Sequence, residues 1–274
     1  MSIGIGSVQF GLNYGVSSNT GIVNYSEVVK ILNIARQNNI YVIDTAPSYG
    51  ESEAILGKND LENFKIITKT NPITSDSSES IINLRCTFKN SLNNLKKKSI
   101  YGLLIHNVND FFTPQGKEIY NQLIDLKKDG FLKKIGVSIY SKDEIDKVLK
   151  YFDIDLIQIP LSILDRRLIF DGTLNKLSEM NIEIHSRSVF LQGLLLMRHN
   201  ERPHKFKKWN KVWKIFDQFL KDEKISALEA SVRFTLSFKE IDTSLFGIQS
   251  GNELQQIIQA SKGKLKNLPK EIWT

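Results

Sequence analysis

Four side chains of complementary chemistry follow short apolar segments in the first half of the sequence. They are Asp44 and Tyr49 in IDTAPSYG, Lys69 in KIITKT and His106 in YGLLIH. A phenol, with an ordinary pKa of about 10, holds its proton at neutral pH, and a neighbouring ammonium lowers that pKa. A carboxylate would keep the ammonium charged, and an imidazole could orient a substrate oxygen through a hydrogen bond. If the fold gathers them, these residues predict proton transfer to or from a substrate oxygen.

The segments that would position these residues alternate between strands and helices along the whole chain. Several runs, such as YVID and LIQIP, are apolar on both faces, which is typical of parallel strands buried on both sides. The predicted strands are Ile3–Val8, Tyr41–Asp44, Lys65–Lys69, Gly102–His106, Lys134–Ser138, Leu156–Pro160, Ile182–Ser188 and Ser244–Gln249.

Helices are predicted between the strands, and the clearest one begins at Ser78 and ends near Lys97. Its apolar residues recur every three or four positions and form one stripe. These residues are Ile81, Leu84, Phe88, Leu92 and Leu95. The other predicted helices are Tyr25–Gln37, Glu51–Leu56, Gln115–Lys128, Lys142–Tyr151, Leu174–Met180, Ala227–Phe238 and Asn252–Ala260.

This alternation predicts an α/β fold, a single (β/α)8 TIM barrel that takes up residues 1–274. Barrels of this kind have about 250 residues, so the length suits the fold. No GxGxxG follows the first strand, which disfavours an open nucleotide-binding sheet. The interval from Leu191 to Ser226 is predicted to be a long loop after strand seven, and connections of that length are usually functional.

The barrel prediction selects which polar residues can share a site. All strands end at one face, where the active sites of barrel enzymes lie, and Asp44, Lys69 and His106 end neighbouring strands. Taken singly, the four candidates could equally be a helix cap, a loop aromatic, an outward-pointing cation and a core histidine. Their common location makes a catalytic group the better interpretation.

The run IDTAPSYGESEAILG, with the lysine and the histidine at the next two strand ends, resembles the tetrad of the aldo-keto reductase superfamily. Similarity continues over nearly the whole chain, through GSVQFG, KKIGVSIY, LIQIP and GIQSGNELQQI. The resemblance implies a bacterial enzyme that transfers a hydride between NADP or NAD and an aldehyde or ketone. It implies that Tyr49 is the general acid and base, assisted by Asp44, Lys69 and His106.

The resemblance also implies where the cofactor binds. Ser138 and Gln158 correspond to residues that bind the nicotinamide amide, and the turn around Phe190–Gly193 corresponds to neighbours of the pyrophosphate. The implied cofactor-binding residues are Ser138, Gln158, Arg187, Phe190, Gln192, Gly193, Gly247, Gln249, Ser250, Glu253 and Gln256. No metal site is predicted.

Three positions depart from the family pattern. Ile139 replaces an asparagine, so one contact to the nicotinamide amide is expected to be missing. Arg187 replaces a tyrosine, and its planar guanidinium either stacks on the nicotinamide or binds a substrate or phosphate group. Glu253 replaces an arginine that meets the 2′-phosphate of NADP, which predicts weak discrimination or a modest preference for NADH. Lys262 or Lys264 could compensate for that carboxylate.

Composition restricts partners and compartment. The chain has 41% hydrophobic and 24% charged residues, which is ordinary for a globular protein. No apolar run approaches a membrane span and no nucleic-acid-binding module is recognisable, so neither partner is expected. A single cysteine, Cys86, and an N-terminus unlike a signal peptide predict a cytoplasmic protein, a monomer or small homo-oligomer.

The net charge of +7 and the basic segment Arg198–Lys208 favour an anionic or highly polar carbonyl substrate. A keto sugar or an activated sugar derivative is the preferred interpretation, and a solvated basic surface is the alternative. Two other functions stay open at this point. One is a barrel lyase in which Lys69 forms a Schiff base, and the other is a redox-sensing subunit that binds the cofactor with little turnover.

Overall fold

Eight parallel strands close into a barrel in the order in which they occur in the sequence. The computed structural model describes residues 2–16, 21–72, 78–169, 171–266 and 268–273. The barrel closes where the last strand pairs with the first, from Ser2 opposite Thr243 to Gly6 opposite Gly247. The strands are β1 Ser2–Gly6, β2 Val42–Asp44, β3 Lys65–Lys69, β4 Ile100–Ile105, β5 Leu132–Ser138, β6 Leu156–Pro160, β7 Glu183–Arg187 and β8 Thr243–Gly247. The predicted TIM barrel is confirmed.

Helices surround the barrel, and most of them have nearly the bounds that the apolar spacing predicts. In α4, Leu84, Phe88, Leu92 and Leu95 are buried, as the stripe requires, whereas the side chain of Ile81 is outside the described residues. The helices are α1 Val8–Gly11, α2 Tyr25–Gln37, α3 Ser52–Leu56, α4 Ser78–Leu95, α5 Gly116–Lys128, α6 Lys142–Tyr151, α7 Thr173–Glu179, α8 Asn210–Glu223, α9 Ala227–Thr235 and α10 Gly251–Ala260.

Two of the strands end two residues earlier than predicted. Strand β1 ends at Gly6 rather than Val8, because Ser7 leaves the extended conformation (φ −101°, ψ 11°) and the short helix α1 follows. Strand β8 ends at Gly247 rather than Gln249. Both differences lie at the end of the barrel where the strands finish, so they enlarge the loops that surround the candidate site.

The interval after β7 is more ordered than the predicted long loop. It contains short 3₁₀ turns and the helix α8, which has 14 residues. The helix buries Trp213, Phe216 and Phe219 at a spacing of three, which gives it an apolar face. Its first residue follows Trp209, whose side chain makes no capping hydrogen bond, so the usual start signal is missing from the sequence.

A polar cluster lies near the starts of the strands, at the end of the barrel opposite the four candidate catalytic residues. Glu183 accepts a hydrogen bond from the Tyr101 hydroxyl (2.6 Å) and pairs with Lys134 Nζ (2.6 Å). His185 Nε2 lies 2.7 Å from the other Glu183 oxygen. Burial alone would raise the pKa of Glu183, but hydrogen bonds from His185, Lys134 and Tyr101 hold it well below its usual range.

The space enclosed by the strands also holds an apolar cluster of its own. Its buried members come from five different strands and pack against one another. They are Val42, Ile67, Leu104, Leu156 and Leu245. Within the described residues, no helix is both long enough and apolar enough to cross a membrane.

Candidate active site

The four predicted catalytic side chains meet at the carboxyl ends of β2, β3 and β4. Asp44 and Lys69 are the last residues of β2 and β3, His106 directly follows β4, and Tyr49 lies in the turn before α3. Parallel strands of a barrel all end at one face, which is why residues so far apart in sequence come together. All four line a cavity of about 650 Å³, a volume that suits a small ligand.

Lys69 is the centre of this group. Its Nζ lies 2.6 Å from Asp44 Oδ1, and it also donates to the carbonyl oxygen of Thr45 (3.0 Å) and to the Tyr49 hydroxyl (3.2 Å). The residue is only 2% exposed. Burial alone would lower the pKa of Lys69, but Asp44 and Tyr49 more than offset it, so the pKa is raised and the ammonium stays charged.

Asp44 is held by a second donor. The Gln158 amide, on β6, donates from Nε2 to the same oxygen that pairs with Lys69 (2.8 Å). The carboxylate is therefore placed by an ammonium and an amide from two other strands. Such a doubly bonded carboxylate fixes the position of the lysine, and the lysine in turn fixes the phenol.

The Tyr49 phenol keeps its proton at neutral pH. Burial raises its pKa above the ordinary value, and the charge of Lys69 offsets only part of this rise. The expectation that Lys69 lowers this pKa is right for the contribution of the lysine, but burial is the larger effect. The phenol is therefore protonated, and the ammonium beside it is placed to stabilise a phenolate once the proton has left.

Glycine backbones allow the turn that carries Tyr49 to approach α1 closely. A Cβ added to Gly11 would lie 1.9 Å from the carbonyl oxygen of Tyr49 and 2.5 Å from the amide nitrogen of Ser52. Gly50 has a φ of +57°, and a Cβ there would lie 2.5 Å from the carbonyl oxygen of Gly11. Neither position can take a side chain without moving the turn, so the location of the phenol depends on both.

His106 is neutral at physiological pH. Burial lowers its pKa to about 4, and the charges of Lys69 and Arg187 act in the same direction. Its ring lies edge-on to Tyr49, with centroids 6.3 Å apart. The buried Nδ1 has no hydrogen-bond partner among the described residues. A neutral imidazole beside the phenol can orient a substrate oxygen without competing for the proton.

The predicted cofactor-binding residues largely share the same cavity. The ones that line it are Ser138, Gln158, Arg187, Phe190, Gln192, Gly193, Gly247, Gln249, Glu253 and Gln256. Ser250 does not line it: its hydroxyl accepts a hydrogen bond from the Glu253 amide (3.1 Å) and caps α10. Ten of the eleven predicted residues therefore line one cavity. The eleventh, Ser250, caps α10, the helix that carries Glu253 and Gln256.

Several donors and acceptors of the cavity could bind a nicotinamide dinucleotide. Ser138 and Gln158 are buried polar neighbours on β5 and β6, paired in register, and could bind an amide. Gln9 Oε1 is buried without a partner among the described residues and adds an acceptor.

The turn after β7 offers fewer free donors. The amides of Leu191 and Gly193 bond within their own turn, to Ser188 O and Phe190 O, rather than pointing freely at a ligand. No group of three or more described His, Cys, Asp and Glu residues could hold a metal ion.

Sequence reasoning missed several residues that also line the cavity, among them Gln9, Tyr14 and Tyr140. Each follows the carboxyl end of a strand, β1 or β5, so the rule that selected the catalytic residues could have found them. Tyr14 accepts a hydrogen bond from Gln192 Nε2 (3.0 Å), and the Val16 amide donates to Gln192 O (2.8 Å). The loop after β1 is thereby joined to the turn after β7 across the mouth.

Comparisons with known proteins identify the family of the chain. The model of the Aldo/keto reductase family matches residues 2–271. The NADH-specific methylglyoxal reductase of Escherichia coli K12 is 32% identical over 184 residues, a match that spans 59% of this chain but only 56% of that protein.

Two solved structures are similar over nearly the whole chain. The aldo-keto reductase AKR11C1 from Bacillus halodurans, in its holo form, has a TM-score of 0.75 at 19% identity, covering 97% of this chain and 88% of that one. The glycerol dehydrogenase AKR11B4 from Gluconobacter oxydans has a TM-score of 0.74 at 21% identity, covering 98% and 88%. At these identities the likeness shows the fold alone. The family match is what decides membership: the chain belongs to the aldo/keto reductase family, whose members are NAD(P)-dependent oxidoreductases.

Proposed function

We propose that this chain reduces the carbonyl group of an aldehyde or ketone with NADH, and that Tyr49 is the general acid. One observation carries the proposal: the Lys69 ammonium lies between a buried carboxylate and the phenol, 2.6 Å from Asp44 and 3.2 Å from Tyr49, at a cavity of ligand size. Bound NADH supplies the hydride. The residues described here supply the proton, orient the substrate and exclude water.

Proton transfer follows from the order of the hydrogen bonds. The Tyr49 oxygen accepts from Lys69, so the phenolic proton is free to be donated to a substrate oxygen. As the carbonyl carbon accepts the hydride, the oxygen takes this proton, and the phenolate that remains is stabilised by the ammonium. His106, neutral because burial lowers its pKa to about 4, holds the substrate oxygen at the correct angle. In alcohol oxidation the phenolate acts as the base.

For the cofactor we propose that the nicotinamide amide binds Ser138 and Gln158, near the phenol. The opposite part of the cavity, lined by Gln249, Glu253 and Gln256, then receives the adenosine. In this arrangement the pyrophosphate lies beside the turn Phe190–Gly193, whose Leu191 and Gly193 amides are bonded within the turn and add no donor. Ile139 has a buried side chain, and its carbonyl accepts from Arg187 (3.1 Å), so it adds no amide contact of its own.

The start of α10 supports a preference for NADH. Glu253 Oε2 accepts from the Gln249 amide (2.7 Å), and Glu27 Oε1 accepts from the Gly251 amide (2.8 Å). A helix N-terminus normally favours a phosphate, but here two carboxylates already occupy it and would repel the 2′-phosphate of NADPH. Lys30 pairs with Glu27 (3.0 Å) and partly offsets that charge. Lys262 and Lys264 are exposed residues that follow the helix.

For the substrate we propose a small polar carbonyl compound, and an activated or keto sugar remains the predicted example. The basic segment Arg198–Lys208 gives this no direct support, because none of its side chains is among the described residues that line the cavity. His199 and Arg202 instead pair with Asp217 on α8. Support for a polar or anionic substrate has to come from within the cavity.

The test is turnover of the purified chain with NADH and NADPH on a panel of aldehydes and ketones that includes methylglyoxal. Tyr49→Phe should lower kcat by about 100-fold or more, as the loss of a general acid requires, with little change in the Kd for NADH. Tyr101→Phe is the matched control: it removes the other phenol bonded within a lysine-containing cluster and should keep the activity.

Three results would contradict the proposal. Near-normal turnover of Tyr49→Phe would remove the phenol from the chemistry. Tight NADH binding without turnover of any carbonyl would favour a redox-sensing subunit. A borohydride-trapped substrate adduct on Lys69 would favour a lyase that uses a Schiff base.

A further inference from the structure

Arg187 carries a charge that no carboxylate balances within the described part of the chain. The other charged residues that line the cavity are already engaged: Asp44 with Lys69, and Glu253 with the Gln249 amide. Arg187 donates only to neutral acceptors, Ile139 O (3.1 Å) and Ser188 Oγ (3.2 Å). Its Nε is buried and has no hydrogen-bond partner among the described residues.

The guanidinium is held in a fixed orientation at the wall of the cavity. Its central carbon lies 4.2 Å from the centroid of the Tyr140 ring, and two of its nitrogens donate to the residues that directly follow β5 and β7. Burial is the main reason why the pKa of His106 is lowered and that of Tyr49 is raised; the charge of Arg187 adds to the first effect and opposes the second, so it is felt at both of these groups. A guanidinium has five N–H donors in a rigid fork, and several of these remain for a ligand.

We propose that Arg187 binds an oxyanion, a carboxylate or a phosphate, that is part of the carbonyl substrate, and that it selects anionic aldehydes over neutral ones. This rests on the proposed function and specifies the substrate class of the same site. An unpaired cation in a partly buried cavity lacks full hydration, so a charge-assisted hydrogen bond to an anion is stronger there than at the surface. We expect this selection to be on the order of 10- to 100-fold in kcat/KM.

The experiment compares substrates that differ only in the anion. Butanal and succinic semialdehyde differ by a methyl group against a carboxylate, and D-glyceraldehyde and its 3-phosphate differ by a phosphate. The wild type should prefer the anionic member of at least one pair by about tenfold or more, and the preferred pair identifies the oxyanion. Arg187→Met should reduce the ratio of kcat/KM values toward one. Arg187→Lys, which keeps the charge but not the fork, should give an intermediate ratio.

The control variant is Arg85→Met, which removes an exposed arginine on α4, away from the cavity, and should leave the ratio unchanged. A wild type that reduces neutral aldehydes and prefers neither anionic partner would overturn the inference and leave the proposed function standing. If Arg187→Met weakened NADH binding and lowered turnover of both members of a pair equally, the arginine would serve the cofactor, and the inference would be wrong. If no carbonyl were reduced at all, the proposed function would fail, and the inference with it.

Discussion

At the carboxyl ends of the strands a lysine donates to a carboxylate and a phenol, whereas at their amino ends a carboxylate accepts from a phenol, a lysine and a histidine. The same four kinds of side chain occur in both clusters. In the first, Lys69 is central and the Tyr49 oxygen accepts, so the phenolic proton remains available. In the second, Glu183 is central and the Tyr101 proton is committed to it at 2.6 Å.

The difference appears in the two phenols. Burial raises the pKa of both, but for Tyr49 the nearby ammonium opposes the rise, while for Tyr101 the bond to Glu183 adds to it. Tyr49 also borders a cavity that a substrate can enter. Residue types alone therefore do not define a catalytic site. The two clusters differ in the direction of the hydrogen bond at the phenol, which accepts from Lys69 at Tyr49 and donates to Glu183 at Tyr101. They also differ in that only the first of these two phenols lines the cavity.

Substituting the lysine of each cluster should distinguish the two clusters most clearly. Lys69→Met should lower turnover on the order of 100-fold, because the phenolate that forms loses its stabilising charge. It should also raise the pKa of Tyr49, since Lys69 lowers it, so the rising limb of the pH profile for alcohol oxidation should move to higher pH. Lys134→Met should change turnover by no more than about twofold. Steady-state kinetics from pH 6 to 10 would measure both effects; since burial already raises the pKa of Tyr49, the shift appears there as a lower oxidation rate at each pH of the rising limb.

A control is needed because Lys69→Met leaves the Asp44 carboxylate buried and unpaired, which can destabilise the fold. The double variant Lys69→Met with Asp44→Asn removes both charges and should fold, yet remain as inactive as the single variant. Recovery of activity in the double variant would mean that the unpaired Asp44 carboxylate, and not the loss of the ammonium beside Tyr49, had inactivated Lys69→Met.

Removing the central carboxylate at the amino ends should affect stability rather than catalysis. Glu183→Gln should cost about 2 kcal/mol in the free energy of unfolding, and lower Tm by about 5 °C, because three donors lose a charged acceptor. The Glu183 pKa is lowered on folding, so its contribution is complete above pH 4.5 and is lost as the pH falls toward about 2. Urea unfolding of the wild type and of Glu183→Gln should give a difference in the free energy of unfolding that is constant from pH 6 to 8 and becomes smaller below pH 4.5. A large loss of kcat with unchanged stability would contradict a structural role for Glu183.

Glu253 is a third carboxylate whose role depends on the groups that donate hydrogen bonds to it, here the Gln249 amide. Glu253→Arg should shift the ratio of NADH to NADPH dissociation constants by about tenfold toward NADPH, as one gained charge pair would. Glu253→Gln keeps an acceptor for the Gln249 amide without the charge and should shift it less. Fluorescence titration with both cofactors gives the ratios. Strong selectivity of the wild type for NADPH, unchanged in both variants, would show that the phosphate is bound elsewhere.

The barrel, and the meeting of the four candidate catalytic side chains at one of its ends, were predictable because each depends on short-range sequence pattern. Strands such as Leu156–Pro160 are apolar on both faces, and the residue type at each strand end could be read directly. The helix α8 was not found, because it begins without a capping side chain inside a run of lysines. The cluster around Glu183 at the amino ends of the strands was not found either, because Tyr101, Lys134 and Glu183 lie on three different strands, β4, β5 and β7, which only the closed barrel brings together.

Sequence reasoning also could not show how Glu253 and Gln158 are used. Both were expected to face the cofactor, and both do line the cavity. The structure adds that Gln158 donates to Asp44 and that Glu253 accepts from the Gln249 amide. The basic segment after β7 suggested an anionic substrate. Of the two described cations that line the cavity, however, Lys69 is paired with Asp44, and the one without a carboxylate partner is Arg187, whose side chain reaches the loop after β5.

The contact between the Gly11 and Gly50 backbones has a consequence for laboratory evolution of this enzyme. Substitutions at rim positions such as Tyr14 or Leu196 can reshape the space around a substrate without moving the phenol. Substitutions at Gly11 cannot, since the first added carbon would meet the carbonyl oxygen of Tyr49. In a deep mutational scan selected for carbonyl reduction, position 11 should tolerate as few replacements as position 49, although it presents no functional group to any ligand. A library for new substrates should therefore vary the rim and keep both glycines.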